Sequence, residues 1–228
     1  MLSVIIPVFN EKNTIEEIIK RVEKVFLSIK KEIIVVDDGS FDETKDILKR
    51  LKKEIDFKLI VHKKNRGKGA AVRTGIENSG GEIILIQDAD LEYSPEEYQN
   101  LIEPILKNET DVVYGSRDFL NNPHSSQKYY LGGKFLTFVF NLLFGTNLTD
   151  INTGYKVFKK EVLKNIELLE NDFSFCEEVT AKVVKLGYKI KEMPIQYLPR
   201  SFKQGKKIRW YKDGLKALYV IMKYRIKS

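Results

Sequence analysis

The chain has 228 residues, 43% hydrophobic and 31% charged, which fits a soluble globular protein with one sizeable core or one domain plus an appended segment. Its single cysteine, Cys176, excludes an internal disulfide and is compatible with a reducing compartment. The net charge of +7 is concentrated at the end: residues 199–228 hold ten Lys/Arg against one acid, Asp213, so that stretch is +9 and residues 1–198 are −2. Basicity therefore belongs to the tail and not to the fold, which points to a phosphate-bearing partner or an anionic membrane surface.

The N-terminus reads Met-Leu-Ser-Val-Ile-Ile-Pro, with no basic run and no long apolar segment, so no signal peptide is expected. A strand over Ser3–Val8 precedes a helical pattern with Ile15, Ile18, Ile19, Val22, Val25 and Phe26 on one stripe. Glu32–Val36 is a second strand, ending in Asp37-Asp38-Gly39-Ser40, and Phe41–Lys53 a helix that Ser40 or Asp42 can cap. Phe57–His62 is a third strand. Asn65-Arg66-Gly67-Lys68-Gly69 is a glycine-rich loop leading into a helix over Ala70–Asn78. Ile83–Gln87 is a fourth, fully buried strand, Pro95–Lys107 a helix with proline in its first turn, and Asp111–Gly115 a fifth strand. This alternation predicts a largely parallel sheet flanked by helices.

The second half is less regular. Tyr129–Phe144 is apolar nearly all round, but its cleanest run is far short of the roughly 20 residues needed to span a bilayer. A buried helix is the default reading there, with a helix lying in the membrane interface as the alternative. Phe175–Gly187 reads as a helix and Lys189–Gln196 as a strand whose Pro194 suits an edge or an end. Over Ile208–Ile226, Ile208, Tyr211, Leu215, Leu218, Met222 and Ile226 share one helical face, and Arg209, Lys212, Lys216, Lys223 and Lys227 form a basic stripe beside it. No linker divides the chain: residues 1–198 are expected to be one domain and residues 199–228 a basic C-terminal extension.

If the sheet is parallel, four strand ends meet at one rim. They bring Pro7 to Glu11, Asp37 to Ser40, Asn65 to Gly69 and Asp88-Ala89-Asp90 together. A nucleotide needs these residue types: a carboxylate for base or ribose, a cation and amides for phosphates, and a metal for the diphosphate. Asp88, Asp90 and Glu92, each separated by one residue, are the candidate ligands of a hard divalent cation, Mg²⁺ or Mn²⁺. Neither a Walker loop nor a Gly-x-Gly-x-x-Gly follows a strand, which counts against a P-loop enzyme and a dinucleotide oxidoreductase.

The blocks Ile-Pro-Val-Phe-Asn-Glu, Val-Val-Asp-Asp-Gly-Ser, Asn-Arg-Gly-Lys-Gly-Ala-Ala, Gln-Asp-Ala-Asp-Leu-Glu and Gly-Ser-Arg, in this order, resemble glycosyltransferase family 2. Later stretches, Leu-Thr-Asp, Thr-Gly-Tyr-Lys, Phe-Ser-Phe-Cys-Glu-Glu and Arg-Ser-Phe-Lys-Gln-Gly-Lys-Lys-Ile, extend the likeness to the dolichyl-phosphate mannose synthase and polyprenyl-phosphate glucosyltransferase branch. The resemblance implies an α/β, Rossmann-like fold of the glycosyltransferase A type and an inverting, metal-dependent hexosyl transfer from a nucleotide sugar. Carried over by position, Pro7, Phe9, Glu11, Val36 and Asp38 hold the nucleoside, with Lys68 and Ala89 in the nucleotide-sugar set. Asp88 and Asp90 serve the metal-bound diphosphate, and Glu92 stands where mannose synthases tend to have glutamine. Arg117, Arg200 and Lys206 meet phosphate oxygens.

The acceptor decides whether a base is required. A polyprenyl phosphate is already anionic and needs cations to guide it, whereas a saccharide hydroxyl needs a carboxylate base, for which Asp150, Glu177 and Glu178 are candidates. Glu178 is at the position of the family's carboxylate. The expected activity is transfer to a polyprenyl phosphate by an enzyme peripheral to the cytoplasmic face of a membrane. The alternative is a soluble family 2 transferase acting on a saccharide hydroxyl in surface-glycan assembly. Nucleic acid is not an expected partner, because tail charge alone would support it and the rim would be left unexplained.

Overall fold

The computed structural model describes residues 1–120, 122–124, 126–200, 207 and 209–226. Seven strands form one sheet: β1 (Leu2–Val8), β2 (Lys31–Asp37), β3 (Lys58–Val61), β4 (Ile83–Ile86), β5 (Val112–Ser116), β6 (Lys156–Lys159) and β7 (Ile190–Pro194). Their order is β3-β2-β1-β4-β6-β5-β7. β1 pairs parallel with β2 and β4, β2 with β3, and β5 with β7, while β6 runs antiparallel between β4 and β5. This is the expected α/β sheet. β7 lies at its edge, where Pro194 costs no ladder bond.

Strand alternation divides the core into two layers. Leu2, Val4, Ile6 and Val8 pack on one face against α1 (Ile15–Lys24), α2 (Thr44–Leu51) and α4 (Tyr98–Leu106). Ile5, Ile84 and Ile86 pack on the other with Val72 of α3 (Lys68–Glu77), Val162 of α6 (Lys160–Lys164) and Phe175, Val179 and Val183 of α7 (Phe175–Lys185). Two local expectations differ from the structure. Helix α1 stops at Lys24 and leaves Phe26 93% exposed, because Val25 takes an extended backbone (ψ 121°) that ends the stripe. The residue before α2 is Glu43, with no side-chain cap; Asp42 accepts from Thr44 N at 3.0 Å, and Ser40 Oγ instead accepts from Asn10 N at 2.9 Å.

Helices α5 (Gln127–Phe144) and α8 (Trp210–Ile226) lie together and against α7. Ser126 caps α5 by accepting from Lys128 N, and Gly145 ends it in a left-handed conformation (φ 67°). The default reading of this stretch as a buried helix is not what forms. Only Leu136, Thr137 and Phe140 are buried, while Leu131, Phe135, Phe138 and Leu142 are exposed. On α8 the apolar face picked out by the sequence spacing is not the packed one. Ala217, Val220, Ile221 and Tyr224 pack inward, Ala217 allowing close approach, and Tyr211, Leu215, Met222 and Ile226 face outward. The helix thus has two apolar faces, one packed and one exposed. Ile208, Lys203 and Lys227 lie outside the described residues. Part of the basic stripe is spent internally: Lys216 pairs with Asp172 at 2.5 Å and Lys223 with Glu170 at 2.6 Å.

Candidate active site

The parallel arrangement puts the C-terminal ends of β1, β2 and β4 at one rim, and short polar contacts bind the following loops to each other. Asn10, held at positive φ, accepts from Phe41 N at 3.0 Å through its side chain, and Glu11 N donates to Thr44 Oγ1 at 2.9 Å. Asp38, 2% exposed, accepts from Arg66 N and Gly67 N (2.9 and 2.7 Å) and meets His62 Nδ1 at 2.6 Å. The glycine-rich loop is thus clamped to the end of β2. Gly67 needs to be glycine twice over: its φ is 98°, and a Cβ would overlap the Asn171 carbonyl.

Beyond β4, Gln87 turns inward, its Oε1 accepting from Tyr98 and Tyr155 hydroxyls at 2.6 and 2.7 Å. This anchors the backbone from which Asp88 and Asp90 project. Lys68 Nζ, from the first turn of α3, reaches Asp88 Oδ1 at 2.5 Å. Burial works against its charge, but Asp88 overrides this and lifts the ammonium above its usual range. Gly154 leaves room for the other Asp88 oxygen, which a Cβ there would overlap, and donates its N–H to Tyr93 OH at 2.9 Å. Asp90 is raised to about 7 by burial and by the charges of Asp88 and Glu92, with Arg200 acting in the opposite direction.

A cavity of about 1190 Å³ opens over this floor. Pro7, Phe9, Glu11, Asp38, Lys68, Asp88, Ala89, Asp90, Glu92, Arg117, Asp150 and Arg200 all line it, as the sequence anticipates. Val36 does not. It is the sixth of seven residues in β2, fully buried, and packs with Ile34, Ile60 and Ala71 on the face that α3 covers. Glu178 does not line it either: its carboxylate accepts from Leu169 N and Glu170 N at 2.7 Å each, and meets Lys182 and the Tyr224 hydroxyl. The preceding residue, Glu177, faces the cavity instead. Lys206 lies outside the described residues.

Several lining carboxylates are held by the chain's own cations. Arg200 grips Glu11 with two bonds of 2.8 Å and approaches Asp90 at 3.4 Å, so it touches carboxylates where phosphate oxygens were anticipated. Lys207, which sequence reasoning passed over, reaches Glu11 at 2.5 Å and hovers 5.8 Å from the Phe9 ring centre. Glu92 accepts from Tyr197 OH at 2.6 Å and Arg200 N at 3.0 Å, fastening the segment after β7. Asp88, Asp90 and Glu92 do not converge as a three-carboxylate metal cluster, and the described residues contain no such group. Arg117 makes a bidentate pair with Asp150 (2.6 and 2.7 Å) and lies 5.1 Å from the Tyr197 ring centre. Burial pushes the Asp150 carboxyl up, but Arg117 more than offsets it and leaves it below the usual range, which suits an ionised anchor and not a proton acceptor.

The mixed α/β sheet with a loop-lined rim at the ends of β1, β2 and β4 is a fold of the glycosyltransferase A type. The chain belongs to glycosyl transferase family 2, whose family model matches residues 3–167. It is 30% identical over 98% of its length to the dolichol-phosphate mannosyltransferase of Pyrococcus furiosus, spanning 64% of that enzyme. It is 29% identical over 97% of its length to a UDP-N-acetylglucosamine–dolichyl-phosphate N-acetylglucosaminyltransferase of Methanococcus voltae, 95% of which is covered. In fold it matches the glucosyl-3-phosphoglycerate synthase of Mycobacterium tuberculosis solved with Mn²⁺, UDP and glucosyl-3-phosphoglycerate. That match has a TM-score of 0.77 at 16% identity, covering 98% of this chain and 79% of the other.

Proposed function

We propose that the enzyme transfers a hexosyl group from a nucleotide sugar to a polyprenyl phosphate at a membrane surface. The observation that carries this reading is the course of the cavity. It runs from the Asp88–Asp90 floor, past Arg117, to walls supplied by α5 and α8 (Gly132, Phe135, Leu136, Tyr211, Leu215), with Phe138 and Leu142 of α5 exposed beyond that lining. A site polar at its floor and apolar at its mouth suits an acceptor with a phosphate head and a hydrocarbon tail. The outer faces suit the bilayer interface. Among the described residues no helix is long and apolar enough to cross a membrane. The names of the relatives point to the same acceptor class.

The chain's residues divide the work. Phe9 and the loop tied by Asp38 border the nucleoside, and Lys68 and Arg200 supply cations for the diphosphate once Asp88 and Glu11 release them. Asp88 and Asp90 fit a divalent cation: two carboxylates one residue apart, one of them raised to about 7 by burial and by the charges of Asp88 and Glu92, form a hard-oxygen donor set whose repulsion a cation would relieve. When bound, such an ion neutralises the charge developing on the departing diphosphate. Glu92, engaged by Tyr197 and Arg200, is left to position the C-terminal segment. Arg117, fixed by Asp150, holds the acceptor phosphate. One phosphate oxygen attacks the anomeric carbon as the bond to the diphosphate breaks, with no proton to remove. Of the three bases anticipated for a saccharide acceptor, Asp150 and Glu178 are committed elsewhere, and Glu177 alone keeps an oxygen in the cavity wall that is unpartnered among the described residues.

The test is incubation with labelled UDP-, GDP- and dTDP-hexoses, Mg²⁺ or Mn²⁺, and either dolichyl phosphate, undecaprenyl phosphate or an oligosaccharide. Label that moves into organic solvent only with a lipid phosphate supports the reading. Label that moves only to the oligosaccharide refutes it.

A further inference from the structure

The wall of the cavity holds one carboxyl that none of the contacts above employs. Glu177 is in the first turn of α7, 3% exposed, and lines the cavity beside Cys176. Its Oε2 has no hydrogen-bond partner among the described residues. A buried polar oxygen left unsatisfied costs about 1–3 kcal/mol, so its persistence calls for a ligand or a function. Its neighbour Glu178 shows the contrast, with both oxygens saturated by backbone amides.

We infer that Glu177 recognises a hydroxyl of the donor's hexosyl group and so sets which sugar the enzyme accepts. This inference rests on the glycosyltransferase reading and names the residue that reads the sugar. The charges that act on Glu177 include Lys156 from β6, Asp172 from the segment before α7 and Asp213 from α8. With Asp172 paired to Lys216, Asp213 and Glu177 itself keep negative charge at this wall, whereas Lys68 and Arg200 stand at the Asp88–Asp90 floor where a diphosphate would sit. A neutral hydroxyl, unlike a phosphate, has no conflict with that charge. Burial, with Asp172 and Asp213 adding to it and Lys156 opposing it, raises the Glu177 carboxyl to about 7. Near neutral pH it is therefore available both as donor and as acceptor to a sugar hydroxyl. A hydroxyl reaching this wall restores the missing bond. A sugar whose hydroxyl points away leaves the carboxyl buried and unpaired, which is how a polar site rejects a near-isomer.

The experiment is equilibrium binding by calorimetry of UDP, GDP, dTDP and their hexose conjugates to wild type, Glu177→Leu and Glu177→Gln, with Mg²⁺ present. Glu177→Leu is expected to weaken the preferred nucleotide sugar by about 10- to 100-fold while leaving its parent nucleoside diphosphate unchanged. Glu177→Gln, which keeps a donor and an acceptor, retains most of the affinity. On wild type, donor analogues each lacking one hydroxyl provide a variant-independent check: one deoxy position should lose a similar factor. The inference is overturned if Glu177→Leu weakens sugar conjugate and nucleoside diphosphate alike. It is also overturned if binding is untouched while turnover falls, the signature of a catalytic base. Failure of wild type to bind any of the nucleotides instead removes the glycosyltransferase reading itself.

Discussion

The Arg117–Asp150 pair offers a quantitative check on how the acceptor side is built. The perturbation is Asp150→Ala. It removes both oxygens that Arg117 Nε and Nη2 reach at 2.6 and 2.7 Å and leaves a guanidinium in a site where Asp150 is only 5% exposed. Breaking a buried pair from one side typically costs about 3–5 kcal/mol. Arg117 keeps about a quarter of its side chain open to the cavity, so water can solvate the orphaned charge and the lower end, about 3 kcal/mol, is expected. For a domain of this size that corresponds to a loss of roughly 6–12 °C in Tm. Urea unfolding and thermal melts of wild type, Asp150→Ala, Arg117→Met and the double variant form the assay. The double variant should recover much of the loss, giving a coupling above about 1 kcal/mol. Asp150→Ala within about 1 kcal/mol of wild type, or strict additivity of the two changes, would refute the view that Asp150 anchors Arg117.

Three other outcomes follow from the same contacts. Gly154→Ala would place a methyl on Asp88 and within 2.8 Å of the Tyr93 ring. It should cost about 1–3 kcal/mol in urea unfolding and weaken nucleotide-sugar binding; unchanged stability and affinity would show that Asp88 does not depend on the room left there. For Glu177, the native carboxyl titrates near 7 and the unfolded one near 4.5, so the folded state holds a proton that the unfolded state has released. Stability conferred by that proton is complete below about pH 4.5 and is lost as pH rises to about 7, a fall of about 3 kcal/mol that Glu177→Gln should abolish in urea titrations across pH 4–8. A wild-type and variant profile that run parallel would sink this. Finally, Phe138→Glu/Leu142→Glu on the exposed side of α5 should reduce co-sedimentation with anionic vesicles at least tenfold without lowering Tm; intact vesicle binding would contradict membrane docking by this face.

The first half of the chain was legible because local signals and the global fold agree there. Aliphatic strands β1, β2 and β4 end in Pro7–Glu11, Asp37–Ser40 and Asp88–Asp90, and parallel topology alone then gathers those loops. Strand β6 was not anticipated. It is four residues long and begins with Lys156, a buried lysine satisfied by the Ile151 carbonyl at 2.8 Å and seated over the Tyr114 ring at 3.9 Å, contacts that no periodicity reveals. Position within a motif also did not fix orientation. Glu177 and Glu178 are adjacent first-turn residues of α7, about 100° apart around the axis, and only packing shows which one faces the cavity. The same limit applies to α8, where spacing groups Leu215 with Met222 but only packing shows that Ala217 and Val220 are the residues set against α5 and α7. Glu92 was read as a metal ligand from its spacing, whereas Tyr197 and Arg200, more than a hundred residues away, claim it.

The central claim is that Asp88 and Asp90 form the floor on which a nucleotide sugar gives up its hexose. The most direct measurement is single-turnover transfer from the preferred nucleotide sugar to a polyprenyl phosphate by wild type, Asp88→Asn and Asp90→Asn, with Mg²⁺ or Mn²⁺ and with chelator. Wild type should transfer only with the cation, and each variant, still folded by melting, should lose at least about a hundredfold. Undiminished transfer by folded Asp90→Asn would contradict the account.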